Sequence, residues 1–387
     1  MSRGDPELTF EEGLKLYNYK NYPSSRECFE RAIEGDNANP EYHLYMGKVL
    51  QQMKETNMAV KEWIISVELY DKKIKEHYDN PYYHSGKGEA LLDLALFLDV
   101  DDDITVLSLN IYFLLGTNIE REMSDYFEKK WELFNNAIEE FNTAIRLDPS
   151  NPSFHRNKAL LLKLLGELFD RKMNCVDEFY FGDSLLMSRK MYGDALNEYR
   201  TLVSMNPEDI DSYVNICYIL YNLGQYDDAI NLCSDVLKTH QDDPDMHFML
   251  GILMRKLGKY DKAIEEYDRA LQSDPDGPNI HNNKGVALNE MGDLNGAMKE
   301  YETAIAIDPD HSLAHFNRGN ILMKLGRYEE AVTEFDISIN IDPSCSSAHL
   351  NKSIALRKIG KKEEANRELN IAVNMDICIL MKRYDSN

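Results

Sequence analysis

The sequence predicts an all-α fold: a right-handed α-solenoid of about nine helix-turn-helix repeats, two of them drawn out into extended hairpins. Three observations lead there. First, PNIHNNKGVALNEMGDLNGAMKEYETAIAIDPD, from Pro278, aligns without a gap with SLAHFNRGNILMKLGRYEEAVTEFDISINIDPS, thirty-four residues on. A fixed period of that size marks stacked supersecondary units. Second, residue size repeats with it. Taking Pro278 as position 1, Gly stands at 8 (Gly285, Gly319) and 15 (Gly292, Gly326), Ala at 20 (Ala297, Ala331), an aromatic at 24 (Tyr301, Phe335) and Pro at 32 (Pro309, Pro343). Third, positions 4, 7, 8 and 11 share one helical stripe, and 20, 24 and 27 another.

Each column has a physical reason. A small residue at 8 facing a small one at 20 lets two helices approach closely. Gly at 15 ends the first helix where a left-handed backbone costs least. Asp-Pro at 31–32 ends the second, because the residue before Pro avoids the helical region. One hairpin cannot bury its apolar face alone, so neighbours must stack. This set of columns resembles the tetratricopeptide repeat. That resemblance implies a superhelix whose first helices line the concave side, and a role in binding protein.

The same ruler lays out the whole chain. Units one and two span 6–73, with Gly13, Tyr22, Phe29 and Ala32, then Gly47, Ala59, Trp63 and Ser66, in the repeat roles. Units three and four span 81–209 and break the period. Unit three has His84 and Gly88 in place but resumes only at Phe134, Ala137, Phe141 and Ala144; unit four carries Gly166 at position 15 and resumes at Tyr192, Ala195 and Tyr199. Helical insertions at about 96–132 and 167–190 account for this, with Asp183 or Ser184 capping the second. Units five to nine fill 210–379, and residues 380–387 form a tail expected to cover the exposed end.

Composition limits the function. The 387 residues carry a formal charge of −24, which argues against nucleic acid or an anionic membrane as the main partner. Six cysteines show no CxxC spacing, and Cys217 and Cys233 occupy core positions 8 and 24. They read as small buried hydrophobes in a reducing compartment. With no apolar leader at the N-terminus, the expected location is cytoplasmic. The apolar run Ile104 to Leu115 is too short to span a bilayer.

No residue set points to catalysis, a cofactor or a metal. Seven histidines (His43, His84, His155, His247, His281, His315, His349) share position 4, where packing against the preceding helix pair explains them. Asp99 and Asp101–Asp103 lack the Gly and Glu of a calcium loop, and Gly86-Lys87-Gly88 lies within a first helix and is no phosphate loop. Basic residues at position 7 (Lys87, Lys158, Lys284, Arg318, Lys352) are expected to lay their stems over the neighbouring helix, with the charge in water. The chain therefore reads as a non-catalytic scaffold.

Candidate binding residues lie on the face of the first helix opposite positions 4, 8 and 11. Position 6 is Asn157, Asn215, Asn283, Asn317 and Asn351, interrupted by Met249. An amide offers donor and acceptor together, so amides at repeat spacing can hold an extended guest backbone; solvation alone is the other reading. Lys256, Lys324 and Lys358 at position 13 and Asn320 at position 9 add polar groups suited to an acidic and apolar segment. The C-terminal repeats resemble the asparagine-bearing repeats of O-GlcNAc transferase, without its catalytic domain. The carboxylate clamp of chaperone-binding relatives is absent, since no three consecutive units supply its residues. Self-association or docking of a folded partner through the two insertions is the alternative role.

Overall fold

The computed structural model describes residues 5–97, 119–172 and 184–384. Among them every regular element is a helix, and the helices fall into nine antiparallel pairs: α1 (Pro6–Asn18) with α2 (Tyr22–Gly35), α3 (Pro40–Gln52) with α4 (Thr56–Glu76), α5 (Pro81–Phe97) with α6 (Ile119–Leu147), α7 (Pro152–Lys172) with α8 (Ser184–Met205), α9 (Ile210–Asn222) with α10 (Tyr226–Val236), α11 (Pro244–Lys256) with α12 (Tyr260–Ser273), α13 (Pro278–Met291) with α14 (Leu294–Ile307), α15 (Ser312–Lys324) with α16 (Tyr328–Ile341), and α17 (Ser346–Lys358) with α18 (Lys362–Tyr384). The all-α solenoid expectation holds. The acidic run Asp99–Asp103, the apolar run Ile104 to Leu115, Asp183, most of the first insertion and part of the second lie outside the described residues.

Local chemistry sets the helix ends. Asp5, Asn21, Asn39, Asp209, Asp243 and Asp293 accept a backbone N–H from the first turn of the helix each precedes, satisfying a donor that has no intrahelical partner. Position 15 closes the first helices of units five to nine with a left-handed glycine, φ running from 71° at Gly258 to 93° at Gly292. In units one and two, lysine holds the same backbone, Lys20 at φ 58° and Lys54 at φ 63°. Gly166 departs from expectation. Here α7 continues through it to Lys172, so it ends nothing; it serves instead as the bare backbone against which the Tyr192 ring lies.

Two compact units divide the chain, the first comprising residues 1–165 with 193–206, the second 166–192 with 207–387. In the first, the core runs from Phe10 and Phe29 through Tyr42, Leu50 and Trp63 to Ala90 and Leu94. Trp63 is 1 % exposed and its ring stacks on Phe97 at 5.5 Å between centroids. Its edge meets Gly47, where any Cβ would overlap the indole. Gly13 against Phe29 and Gly88 against Phe141 repeat this close approach.

The second unit uses the same device. Gly251 faces Tyr267, Gly285 faces Tyr301 and Gly319 faces Phe335, each ring fully or almost fully buried. Ala263, Ala270, Ala297, Ala304 and Ala331 are wholly buried around them. Within each unit, successive first helices touch one another, while successive second helices approach less closely. The first helices therefore occupy the inner side of each stack.

Candidate functional site

Seven of the nine hairpins are fastened by the same carboxylate clasp. The histidine at position 4 meets a glutamate at position 23 of its own second helix: His43 with Glu62 at 2.7 Å, His84 with Glu140 at 2.5 Å, His155 with Glu198 at 2.6 Å, His247 with Glu266 at 2.7 Å, His281 with Glu300 at 2.6 Å, His315 with Glu334 at 2.8 Å and His349 with Glu368 at 2.6 Å. In the first six, the other ring nitrogen faces a backbone carbonyl six residues back in the preceding turn. At both ring nitrogens the group opposite is thus an oxygen that can accept a hydrogen bond.

The basic residues at position 7 complete the clasp and correct the expectation that their charges stand in water. Lys87, Lys158, Lys284, Arg318 and Lys352 donate to the second oxygen of the same glutamates, at 2.7, 2.6, 2.8, 2.9 and 2.5 Å. Four of them also reach an acid of the preceding repeat: Lys87 to Asp71, Lys284 to Asp268, Arg318 to Glu302 and Lys352 to Asp336. Each such clasp ties the two helices of one repeat to each other and to the repeat before. Sequence reading explained the histidines by packing and missed their glutamates. The signal was present: the two units without His at position 4 (Thr9, Tyr213) also lack Glu at 23, carrying Cys28 and Leu232.

The clasp gives a pH dependence whose sign can be worked out at the third-last repeat. A hydrogen bond to Glu300 raises the His281 pKa against the opposing effect of burial. Burial would raise Glu300, but hydrogen bonds from His281 and Lys284 outweigh it and hold that carboxyl below its usual range. The histidine's contribution is complete below its unfolded value, about 6.5, and is lost as pH rises through the higher folded value. The glutamate's contribution is complete above about 4.3 and is lost as pH falls through the depressed value. The stability difference between wild type and His281→Gln should thus be larger at pH 5.5 than at pH 8.5 in denaturant melts. An equal difference at both would refute the coupling.

The predicted amides lie on the first helices and do not form a uniform row. In the second unit, Asn317 Nδ2 donates to Asn282 Oδ1 at 2.9 Å and Asn351 Nδ2 to Asn320 Oδ1 at 2.7 Å, each bridging to the preceding repeat. Asn215 and Asn283 instead donate to the backbone carbonyls of Asp211 and Asn279, four residues back on their own helices. All four are half-buried. Lys324 donates to Asn289 at 2.6 Å, while the Lys256 ammonium lies 5.9 Å from the Tyr221 ring centroid. Lys256, Lys324 and Lys358 are exposed. Leu313, Leu350 and Ile354, 57, 40 and 42 % exposed, lie on the same helices.

Asn157 stands in the first unit, where it donates to Glu89 at 2.8 Å and Ser85 at 3.3 Å. Glu89 also holds Lys48 at 2.9 Å, and Asp93 lies 3.9 Å from the same ammonium. Burial pushes Asp93 up to about 6 despite the pull of Lys48. This amide is thus part of a charged network spanning repeats two to four. Among the described residues, no group of three or more His, Cys, Asp or Glu is placed to hold a metal ion, and no helix is long and apolar enough to cross a membrane.

Comparison with known proteins follows the repeat columns. Family models described as TPR repeat match residues 134–166, 253–292 and 285–326, and models described as tetratricopeptide repeat match 186–257 and 312–345. No curated protein matches the sequence. Among solved structures, a MamA protein is 21 % identical over 42 % of this chain and 90 % of its own, with a TM-score of 0.38. MamA from Desulfovibrio magneticus RS-1 is 18 % identical over 44 % and 96 %, TM-score 0.39. YrrB, titled a TPR protein with an unusual peptide-binding site, is 18 % identical over 48 % and 97 %, TM-score 0.37. The family assignment rests on the repeat matches and on the helix pairs of the described residues, six of which show the repeat's own glycine-ring contact: the chain is a tetratricopeptide-repeat protein.

Proposed function

We propose that the second unit is a protein-binding scaffold that receives an extended peptide along the inner side of α9, α11, α13, α15 and α17. The repeat family supports a general protein-binding role. The finer reading rests on one observation: the first helices of the last repeats carry exposed apolar residues (Leu313, Leu350, Ile354) together with half-buried amides and exposed lysines. Amides already tethered through one N–H (Asn283, Asn317, Asn351) keep a second N–H and an oxygen for a guest backbone. Tethering also reduces the side-chain entropy lost on binding. Lys256, Lys324 and Lys358 favour acidic side chains between the apolar ones, so the guest is an acidic and apolar segment in extended conformation.

The test is selection from a random peptide library on the intact chain, with titration of the enriched peptides. Replacing Asn283, Asn317 and Asn351 together by Ala should weaken an enriched peptide tenfold or more, about 1.4 kcal/mol or above, with helicity by circular dichroism unchanged. Equal affinity in the triple variant would reject the amide contacts, and enrichment of basic peptides would reject the charge preference.

A further inference from the structure

Among the nine described hairpins, only the fifth lacks both of the locks that close the others. Tyr213 and Leu232 replace the His and Glu of the carboxylate clasp, and Cys217 and Cys233 stand at the positions where six other hairpins press a ring against glycine. Its second helix, α10, has 11 residues against 14 in α12, α14 and α16. In that gap the two sulfurs lie 3.2 Å apart, both wholly buried, with the Cys217 thiol also directed at the Ala229 carbonyl at 3.8 Å. We propose that Cys217 and Cys233 are a redox clasp that, on oxidation, joins α9 to α10 by a disulfide in the hairpin that has neither the carboxylate clasp nor the glycine-ring contact.

The chemistry balances with a peroxide as oxidant. One thiolate attacks an oxygen of hydrogen peroxide and breaks the O–O bond. The hydroxide released takes up the proton and leaves as water, and the sulfur remains as a sulfenic acid. The second sulfur then attacks that sulfur and expels its hydroxyl, which departs as water with the second thiol's proton. Two thiols thus lose two electrons and two protons, and one peroxide becomes two waters. A disulfide bond is about 2.05 Å long, so the sulfurs close by roughly an ångström. The hydrogen bond with Cys233 and burial both raise the Cys217 pKa and keep the thiolate scarce, so reaction proceeds from a locally opened hairpin. The proposal is independent of the peptide reading.

The experiment uses the full reduced chain, treated with hydrogen peroxide under native conditions, then alkylated and digested without reduction. The expected product is a peptide pair linking Cys217 to Cys233, two hydrogens lighter than its dithiol form and separated by dithiothreitol. The oxidised chain should also melt several degrees above the reduced one, a gap that Cys217→Ser with Cys233→Ser abolishes. Recovery of both residues as separate thiols or sulfinic acids while the less buried Cys345 is oxidised would overturn the proposal. So would a linkage formed only in denaturant, or a disulfide that leaves the melting temperature unchanged.

Discussion

Glu334→Ala should destabilise the chain by about 3 kcal/mol, near the low end of what breaking a buried ion pair costs. The side chain of Glu334 is 10 % exposed and holds two partners at once, His315 at 2.8 Å and Arg318 at 2.9 Å. Its removal leaves a buried imidazole facing only the Pro309 carbonyl and a guanidinium reduced to its long contact with Glu302 at 3.5 Å. Glu334→Gln keeps an acceptor for one partner and should cost clearly less. Glu330→Ala serves as the surface control: its bonds to Arg327 are short but both side chains are half exposed or more, and solvent screening leaves such pairs little net effect on stability. Chemical denaturation of the three variants checks the order, and equal losses for Glu334→Ala and Glu330→Ala would refute the clasp as a structural element.

Trp63→Ala should cost about 3–5 kcal/mol, the range for emptying an aromatic core position. The indole fills the space that Gly47 leaves open and carries the stack toward Phe97, so no neighbour is free to fill the hole. Trp63→Phe separates volume from hydrogen bonding. The indole Nε1 is buried without a hydrogen-bond partner, and phenylalanine removes that unsatisfied donor while keeping most of the ring. Its expected cost is clearly smaller than that of Trp63→Ala, because a smaller cavity is left. Thermal and denaturant melts measure both, and a Phe variant as unstable as the Ala variant would contradict this division.

The fold was legible because its determinants are local and repeated. Gly at 8 with a ring at 24 is a volume match visible within each of the six repeats that carry it, and the left-handed backbone at position 15 selects Gly224, Gly258, Gly292, Gly326 and Gly360 directly. Gly166 shows where the ruler fails. The first helix of this repeat runs on to Lys172, so a glycine in the right column sits inside a helix and takes on a packing role. The clasps were missed because their parts were judged one column at a time. A histidine at 4 reads as core and a lysine at 7 as surface until the glutamate at 23, on the other helix, is placed between them. The amides were located by helical periodicity, but not their tethers: whether Asn283 turns to its own helix or Asn317 to the preceding repeat depends on the residue opposite, which in the second case is Asn282.

Hydrogen exchange of the full chain with and without an enriched acidic, apolar peptide is the most direct measurement of where a guest lies. Protection is expected in the first helices of repeats five to nine (α9, α11, α13, α15 and α17), with the second helices α10, α12, α14 and α16 unchanged. Protection confined to the second helices, or to the first compact unit, would contradict binding on the inner side of the C-terminal stack.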